Sequence, residues 1–233
     1  YFEELCQQIG YDQGRAINSM GTLGGGNHFI ELDEQRGGDG EFWFVIHSGS
    51  RSIGLKIAQH WQNQATNLRT NDWIRANLDD VLKPYLVPEV DEDDELTDWF
   101  LGGKGQSYID SDAIKDAVND NYLIGYIHDQ IRNSHPDNRP GTEDLDYLEG
   151  QSAAGYLIDM IFAQTYAWEN RNTMSENILD ELGLKAQEVV HTPHNLIDFE
   201  DFVLRKGAVR AHEGEQFVLP FNMAEGTFIC EGK

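Results

Sequence analysis

Three of the chain's eight histidines stand where a strand-like run meets a polar loop: Asn27-His28, His47-Ser48-Gly49-Ser50-Arg51 and Pro193-His194-Asn195. Imidazole is the commonest metal-binding side chain, and ligands dispersed at strand ends are how an enzyme assembles a metal site from distant parts of its sequence. Taken singly, each such histidine is more often a satisfied core or surface residue. His60, His128, His135 and His212 stay in that ordinary class, and His191 has nothing to recommend it beyond its nearness to His194.

The stretch GTLGGGNHFIEL, residues 21–32, sets four glycines immediately before one of these histidines. Two readings compete. One is a tight turn leading into a half-buried strand; the other is a pocket floor where the backbone must approach a phosphate or metal closely. Neither this stretch nor LGGKGQS (101–107) matches the phosphate loop GxxxxGK[ST], so a glycine-rich turn is the more frequent outcome for each alone.

The elements that must position these groups follow from periodicity. EFWFVIHSGSR (41–51) is an apolar, β-rich run ending in a Gly/Ser loop, hence a strand and then a loop. A helix is expected over 53–69, with Leu55, Ala58, Gln59, Gln62 and Ala65 at helical spacing, and another over 120–134, closed by His135-Pro136. The strongest helical signal covers 151–174, where Ala154, Leu157, Ile158, Ile161, Phe162 and Thr165 follow the i, i+3, i+4, i+7 pattern. Short strands and turns return after it. Strands flanking a helical middle predict an α+β fold rather than a regular βαβ repeat.

Composition narrows the class. A chain of 233 residues with 39% hydrophobic and 11% aromatic residues is a folded globular protein with length enough for a core. No apolar run approaches the ~20 residues needed to span a bilayer, and the N-terminal YFEELCQQIG is no signal peptide, so a cytoplasmic, membrane-free setting is expected. Cys6 and Cys230 form no CxxC pair, which excludes a zinc ribbon or disulfide scaffold; each reads as a small core residue. The net charge of −24 argues against generic nucleic-acid binding, though not against a local basic patch such as RKGAVR (205–210). The acidic runs EVDEDDELTD (89–98) and TEDLDYLEG (142–150) read as solvated loops, and a high-salt host would account for such a surface.

GTLGGGNHFIEL, HSGSRSIG, YLIDMIFAQTYAWENR, HTPHN and RKGAVRA, in that order, resemble the RtcB RNA-splicing ligase family across nearly all of the chain. Five ordered motifs are far more specific than any one glycine loop. The resemblance implies an RtcB-like fold with mixed strands around a central nucleotide and metal site. It also implies GTP- and manganese-dependent joining of RNA 2′,3′-cyclic phosphate or 3′-phosphate ends to 5′-hydroxyl ends through a histidine–GMP intermediate, in tRNA splicing or RNA repair. An accessory activation factor is compatible with it.

Residue by residue, the resemblance makes His28, His47 and His194 manganese ligands, for what is expected to be a pair of ions. It assigns GTP contacts to Asn27, His28, Phe29, Ile30, Glu31, His194 and Asn195, with Glu31 at the guanine edge, and RNA or phosphate contacts to Arg51, Arg205 and Lys206. A solvent-facing Glu31 and a loop-capping Arg51 remain the ordinary alternatives. The nucleotide loop often written Pro-Gly-Ser-Met reads Pro220-Phe221-Asn222-Met223 here, with Thr227 where a serine is common. The family's Asp and Cys ligands, in a DxGxxC-type motif, and its nucleophilic histidine, in an HGAGR-like stretch, have no match here. They are expected before Tyr1 and beyond Lys233, so residues 1–233 read as an internal part of a ligase catalytic domain, inactive by itself. Two other classes stay open: a metal-dependent RNA-end phosphoesterase, and a non-catalytic binding module that keeps the fold.

Overall fold

The computed structural model describes residues 1–36, 40–77, 112, 115–116, 122, 124–126, 129, 133, 138–141, 145–222 and 225–233. Two compact units emerge, one made of Tyr1–His60 with Gln151–Lys233 and the other of Trp61–Gly150. The expected loops at 89–98 and 101–107 lie outside the described residues, as does most of the expected helix at 120–134.

In chain order the elements are α1 (Phe2–Gln8), α2 (Gln13–Ser19), β1 (Phe29–Glu34), β2 (Phe42–His47), α3 (Arg51–Asn77), α4 (Gly150–Leu182), β3 (Asn195–Asp198), β4 (Val203–Lys206), β5 (Gln216–Asn222) and β6 (Gly226–Glu231). The strands form three antiparallel hairpins, β1–β2, β3–β4 and β5–β6. Helices with small antiparallel sheets make this a mixed α+β fold, as the sequence predicts.

In the first unit, Leu5 and Cys6 from α1, Ile9 just after it, Ala16 from α2, Ile53 and Ile57 from α3, and Ala163, Tyr166 and Met174 from α4 are buried. Each large apolar side chain so buried is worth about 1.5–3 kcal/mol. Asp12 caps α2, accepting the Arg15 N–H at 2.6 Å. The Tyr166 hydroxyl donates to the Ala16 carbonyl at 2.6 Å, tying α4 to α2. At its end α4 stops on Gly183, in the left-handed region at φ 65°, and the Leu184 N–H closes back on the Leu179 carbonyl at 2.9 Å. In the second unit, the Arg139 guanidinium pairs with the buried Asp146 and donates to Thr70 at 2.9 Å, while Arg69 lies 4.3 Å over the Tyr147 ring.

Both expected long helices form, but each turns a different face inward. On α3 the buried stripe is Ile53, Ile57, Trp61 and Ala65; Leu55, Ala58, Gln59 and Gln62 are exposed. On α4 it is Asp159, Ala163, Tyr166, Asn170 and Met174, while Ala154, Ile158, Ile161 and Thr165 are exposed. The apolar pattern misses the α4 face because two of its five buried positions are polar.

Candidate functional site

Strand pairing explains how His28 and His47 meet. The β1–β2 register sets Phe29 opposite His47, so the residue just before β1 and the last residue of β2 share one end of the hairpin. Their ring centres lie 5.8 Å apart. His194, immediately before β3, brings its ring centre to 5.3 Å from that of His47, at right angles to it. Two imidazoles bound to one metal through bonds of about 2.1 Å put their ring centres roughly 5 Å apart, so these separations are on the scale of a shared or adjacent metal. The ring of Phe29 stands edge-on to His47 at 5.1 Å, closing the apolar side.

The chemistry of the donors suits a cation. The Leu23 carbonyl lies 2.8 Å from His28 Nδ1, an arrangement in which Nδ1 carries the proton and Nε2 keeps its lone pair for a ligand. The Ser48 hydroxyl donates to the same carbonyl at 2.8 Å. Burial, then His194 and His28, then Arg171 lower the pKa of His47, holding it in the neutral, ligand-competent form. As the side chains stand, no group of three or more His, Cys, Asp or Glu residues among the described residues is close enough to hold a metal ion. The three imidazoles are neighbours without yet being a closed donor set.

Around them the loops are held by two arginines that meet no carboxylate among the described residues. Arg171, on α4, donates to the Ser48 carbonyl at 3.2 Å. Arg51 opens α3 in the left-handed region at φ 58°, and its Nε donates to Thr22 Oγ1 at 3.2 Å. Its guanidinium lies directly on Gly24: a Cβ there would come within 1.7 Å of Arg51 Nη1. Gly24 itself sits at φ 91°. The first and second glycines of the stretch thus have protein-internal reasons, since a Cβ at Gly21 would meet Thr173 at 2.8 Å, while Gly25 and Gly26 face open space.

Glu31 lies on the half-buried face of β1 with Phe29 and Asp33, while Ile30, Leu32 and Glu34 are exposed. Thr227 of β6 donates its hydroxyl to Glu31 Oε1 at 2.8 Å, joining two expected nucleotide residues that are far apart in sequence. Asn195 Oδ1 accepts the Gly207 N–H at 3.0 Å, and Asn27 is exposed. Pro220 pairs with Thr227 across the β5–β6 hairpin, and Phe221 packs edge-on to Phe228 at 6.0 Å. Met223 lies outside the described residues.

The basic patch is otherwise engaged. Arg205 contacts Asp201 at 2.5 Å and the buried Asp198 at 3.3 Å; Arg210 pairs with Glu215 at 2.8 Å and reaches Asp198 at 3.5 Å. His212 stands 3.4 Å from Glu200 in the same network. Of the three basic residues in this stretch, only Lys206 has no ionic partner among the described residues, and it is exposed.

The chain matches the family described as tRNA-splicing ligase RtcB over residues 7–93 and 113–233. It belongs to the RtcB family. Two curated relatives are each 26% identical over 232 residues: RNA-splicing ligase RtcB of Escherichia coli strain K12 and RNA-splicing ligase RtcB1 of E. coli strain ATCC 25922. Each alignment covers 91% of this chain and 41% of the relative, so this RtcB chain spans well under half the length of these curated relatives. No solved structure matches. Among the described residues of this RtcB chain, no helix is long and apolar enough to cross a membrane.

Two residues of the site escape motif reading. Asn170 and Arg171 stand within YLIDMIFAQTYAWENR yet carry no ligand-like spacing. Their signal is a polar pair at the helix's buried stripe, Asn170 lying within it between Tyr166 and Met174 and Arg171 beside it.

Proposed function

We propose that this chain supplies much of the manganese, GTP and RNA-end binding surface of an RNA ligase that joins 2′,3′-cyclic phosphate or 3′-phosphate ends to 5′-hydroxyl ends. The observation that carries the reading is the meeting of His28, His47 and His194 beside two arginines that have no carboxylate partner among the described residues. In a chain of net charge −24, cations left unneutralised around a histidine cluster suit a polyanion such as a triphosphate or an RNA end.

His28, His47 and His194 would hold manganese, with the family's Asp and Cys completing its shell. Bound there, manganese supplies charge neutralisation and orientation of phosphate oxygens. Glu31, with one carboxylate oxygen held by Thr227, presents an acceptor for the guanine edge, and Asn27 and Asn195 supply polar contacts to the nucleotide. Arg51, seated on Gly24, offers its planar fork to a phosphate. None of the histidines here matches the family's nucleophile motif, so these residues alone bind without forming the histidine–GMP bond.

The test is a ligation assay with RNA bearing 3′-phosphate or 2′,3′-cyclic phosphate, a 5′-hydroxyl partner, GTP and manganese. It compares this chain alone with the chain joined to segments that carry the remaining family motifs. Joined RNA from the extended protein, lost on His47→Ala, is the expected result. Hydrolysed ends without joining would install the phosphoesterase reading, and neither activity would leave a binding module.

A further inference from the structure

We propose that Asn170 is the positioning residue that holds the glycine-rich loop carrying His28 against the loop carrying His47 and Arg51. The inference rests on reading the histidine cluster as the working site. Asn170 is fully buried near the middle of α4. Its Oδ1 accepts the Thr22 N–H at 3.1 Å, and its Nδ2 reaches the Thr22 carbonyl at 3.2 Å, Ser48 Oγ at 3.1 Å and the Gly49 carbonyl at 3.1 Å. From Ser48 Oγ the connection continues to the Leu23 carbonyl, which also meets His28 Nδ1.

One carboxamide thereby joins a helix to two loops through three backbone groups and the Ser48 hydroxyl. Three acceptors share its two N–H groups, and the remaining oxygen takes the Thr22 amide, so both halves of the amide are used. Aspartate would keep the acceptor and lose the donors; leucine would keep the shape and lose both. A buried amide is tolerated because it is satisfied, and here its partners are the loops that deliver the imidazoles rather than its own helix.

Met174, one turn further along the same buried stripe, is the control for mere packing. The experiment follows hydrogen–deuterium exchange by mass spectrometry in the 233-residue chain, with Co²⁺ alone as a metal probe read by visible absorption. Asn170→Ala is expected to speed exchange across 22–28 and 48–51 and to weaken Co²⁺ binding, each by about tenfold or more, the scale of losing an outer partner of a metal ligand. Met174→Ala should lower the melting temperature while leaving both loops and Co²⁺ binding near wild type. Equal effects of the two variants on the loops, or none from Asn170→Ala, would overturn the proposal.

Should Asn170→Ala not fold, Ser48→Ala removes only the relay to Leu23. It should speed exchange in 22–28, and unchanged exchange there would refute the tie. If the exchange contrast holds but wild type takes up no Co²⁺, positioning stands and the metal reading falls. If Co²⁺ binds without the contrast, the metal reading stands and Asn170 is only core.

Discussion

Arg51 and Arg171 bond to the loops that carry the imidazoles and meet no carboxylate among the described residues, whereas Arg205 and Arg210 are wrapped around Asp198, Asp201 and Glu215. In sequence, RKGAVR is the stretch that looks basic. The difference lies in the partners. Asp198 and Asp201 precede Arg205 by seven and four residues and Glu215 follows Arg210 by five, so the β3–β4 hairpin and the turn after it bring acids onto the patch. A paired arginine has spent its fork on a carboxylate; an unpaired one beside a glycine can offer it to a phosphate. Where the acids are absent marks an anion site better than where the bases are dense.

The sharpest way to break this comparison is His47→Ala, which removes the central ring of the cluster. Manganese affinity, measured by electron paramagnetic resonance of the free ion, should fall at least about 100-fold, beyond the range seen for losing an outer partner. Thermal stability should change little by contrast, because His47 is only half-buried. Manganese binding that survives this change would separate the cluster from any metal role.

Asp198→Asn should do the opposite. It leaves two arginines facing a neutral amide in a buried place, and should lower the midpoint of a denaturant melt, by less than a fully buried broken pair would because both guanidiniums are partly solvated. Manganese binding should be unchanged. A variant that lost metal while keeping its stability would mean that the network belongs to the site after all.

Much of the site was legible because it depends on local order. A glycine turn before FIEL and a polar loop after FWFVIH predict two strand ends, and antiparallel pairing of those strands brings His28 to His47 without further information. The helices were legible as helices but not by face, since Asp159 and Asn170 occupy buried positions that hydropathy assigns to solvent. Arg205 was misleading for a related reason: spacing shows a cation, but not the carboxylates that folding sets against it. Asn170 was illegible because its partners, three backbone groups and one serine hydroxyl, lie more than a hundred residues away.

A smaller effect tests the seat of Arg51. Gly24→Ala puts a methyl group into the guanidinium and also asks alanine to adopt a left-handed φ. The conformational part, about 1 kcal/mol, should persist whatever stands at position 51. The steric part should vanish when Arg51→Ala clears the space. A double-mutant cycle should therefore show coupling of about 1 kcal/mol between the two positions. Strict additivity would mean that Arg51 does not rest on Gly24 in solution.

Acid should separate the two regions by the smallest margin and in a set order. His47 has its pKa lowered in the fold, chiefly by burial and then by His194, His28 and Arg171. The unfolded chain therefore binds the proton more readily, and stability falls as the pH drops below the ordinary histidine value of about 6.5, the loss being complete at the lower folded value. Glu215 is also lowered, first by its hydrogen bond from Arg210 and then by the His212 backbone N–H. Its loss begins only below the ordinary glutamate value of about 4.3 and ends at its own lowered value. In metal-free chain, imidazole and carboxylate NMR signals followed from neutral to acid pH should show the loops around His47 loosening first, with the Arg210–Glu215 pair still intact. Simultaneous loss in the carboxylate range would mean that His47 is not held neutral by its surroundings, and the two regions would then differ in their charges but not in the order in which acid opens them.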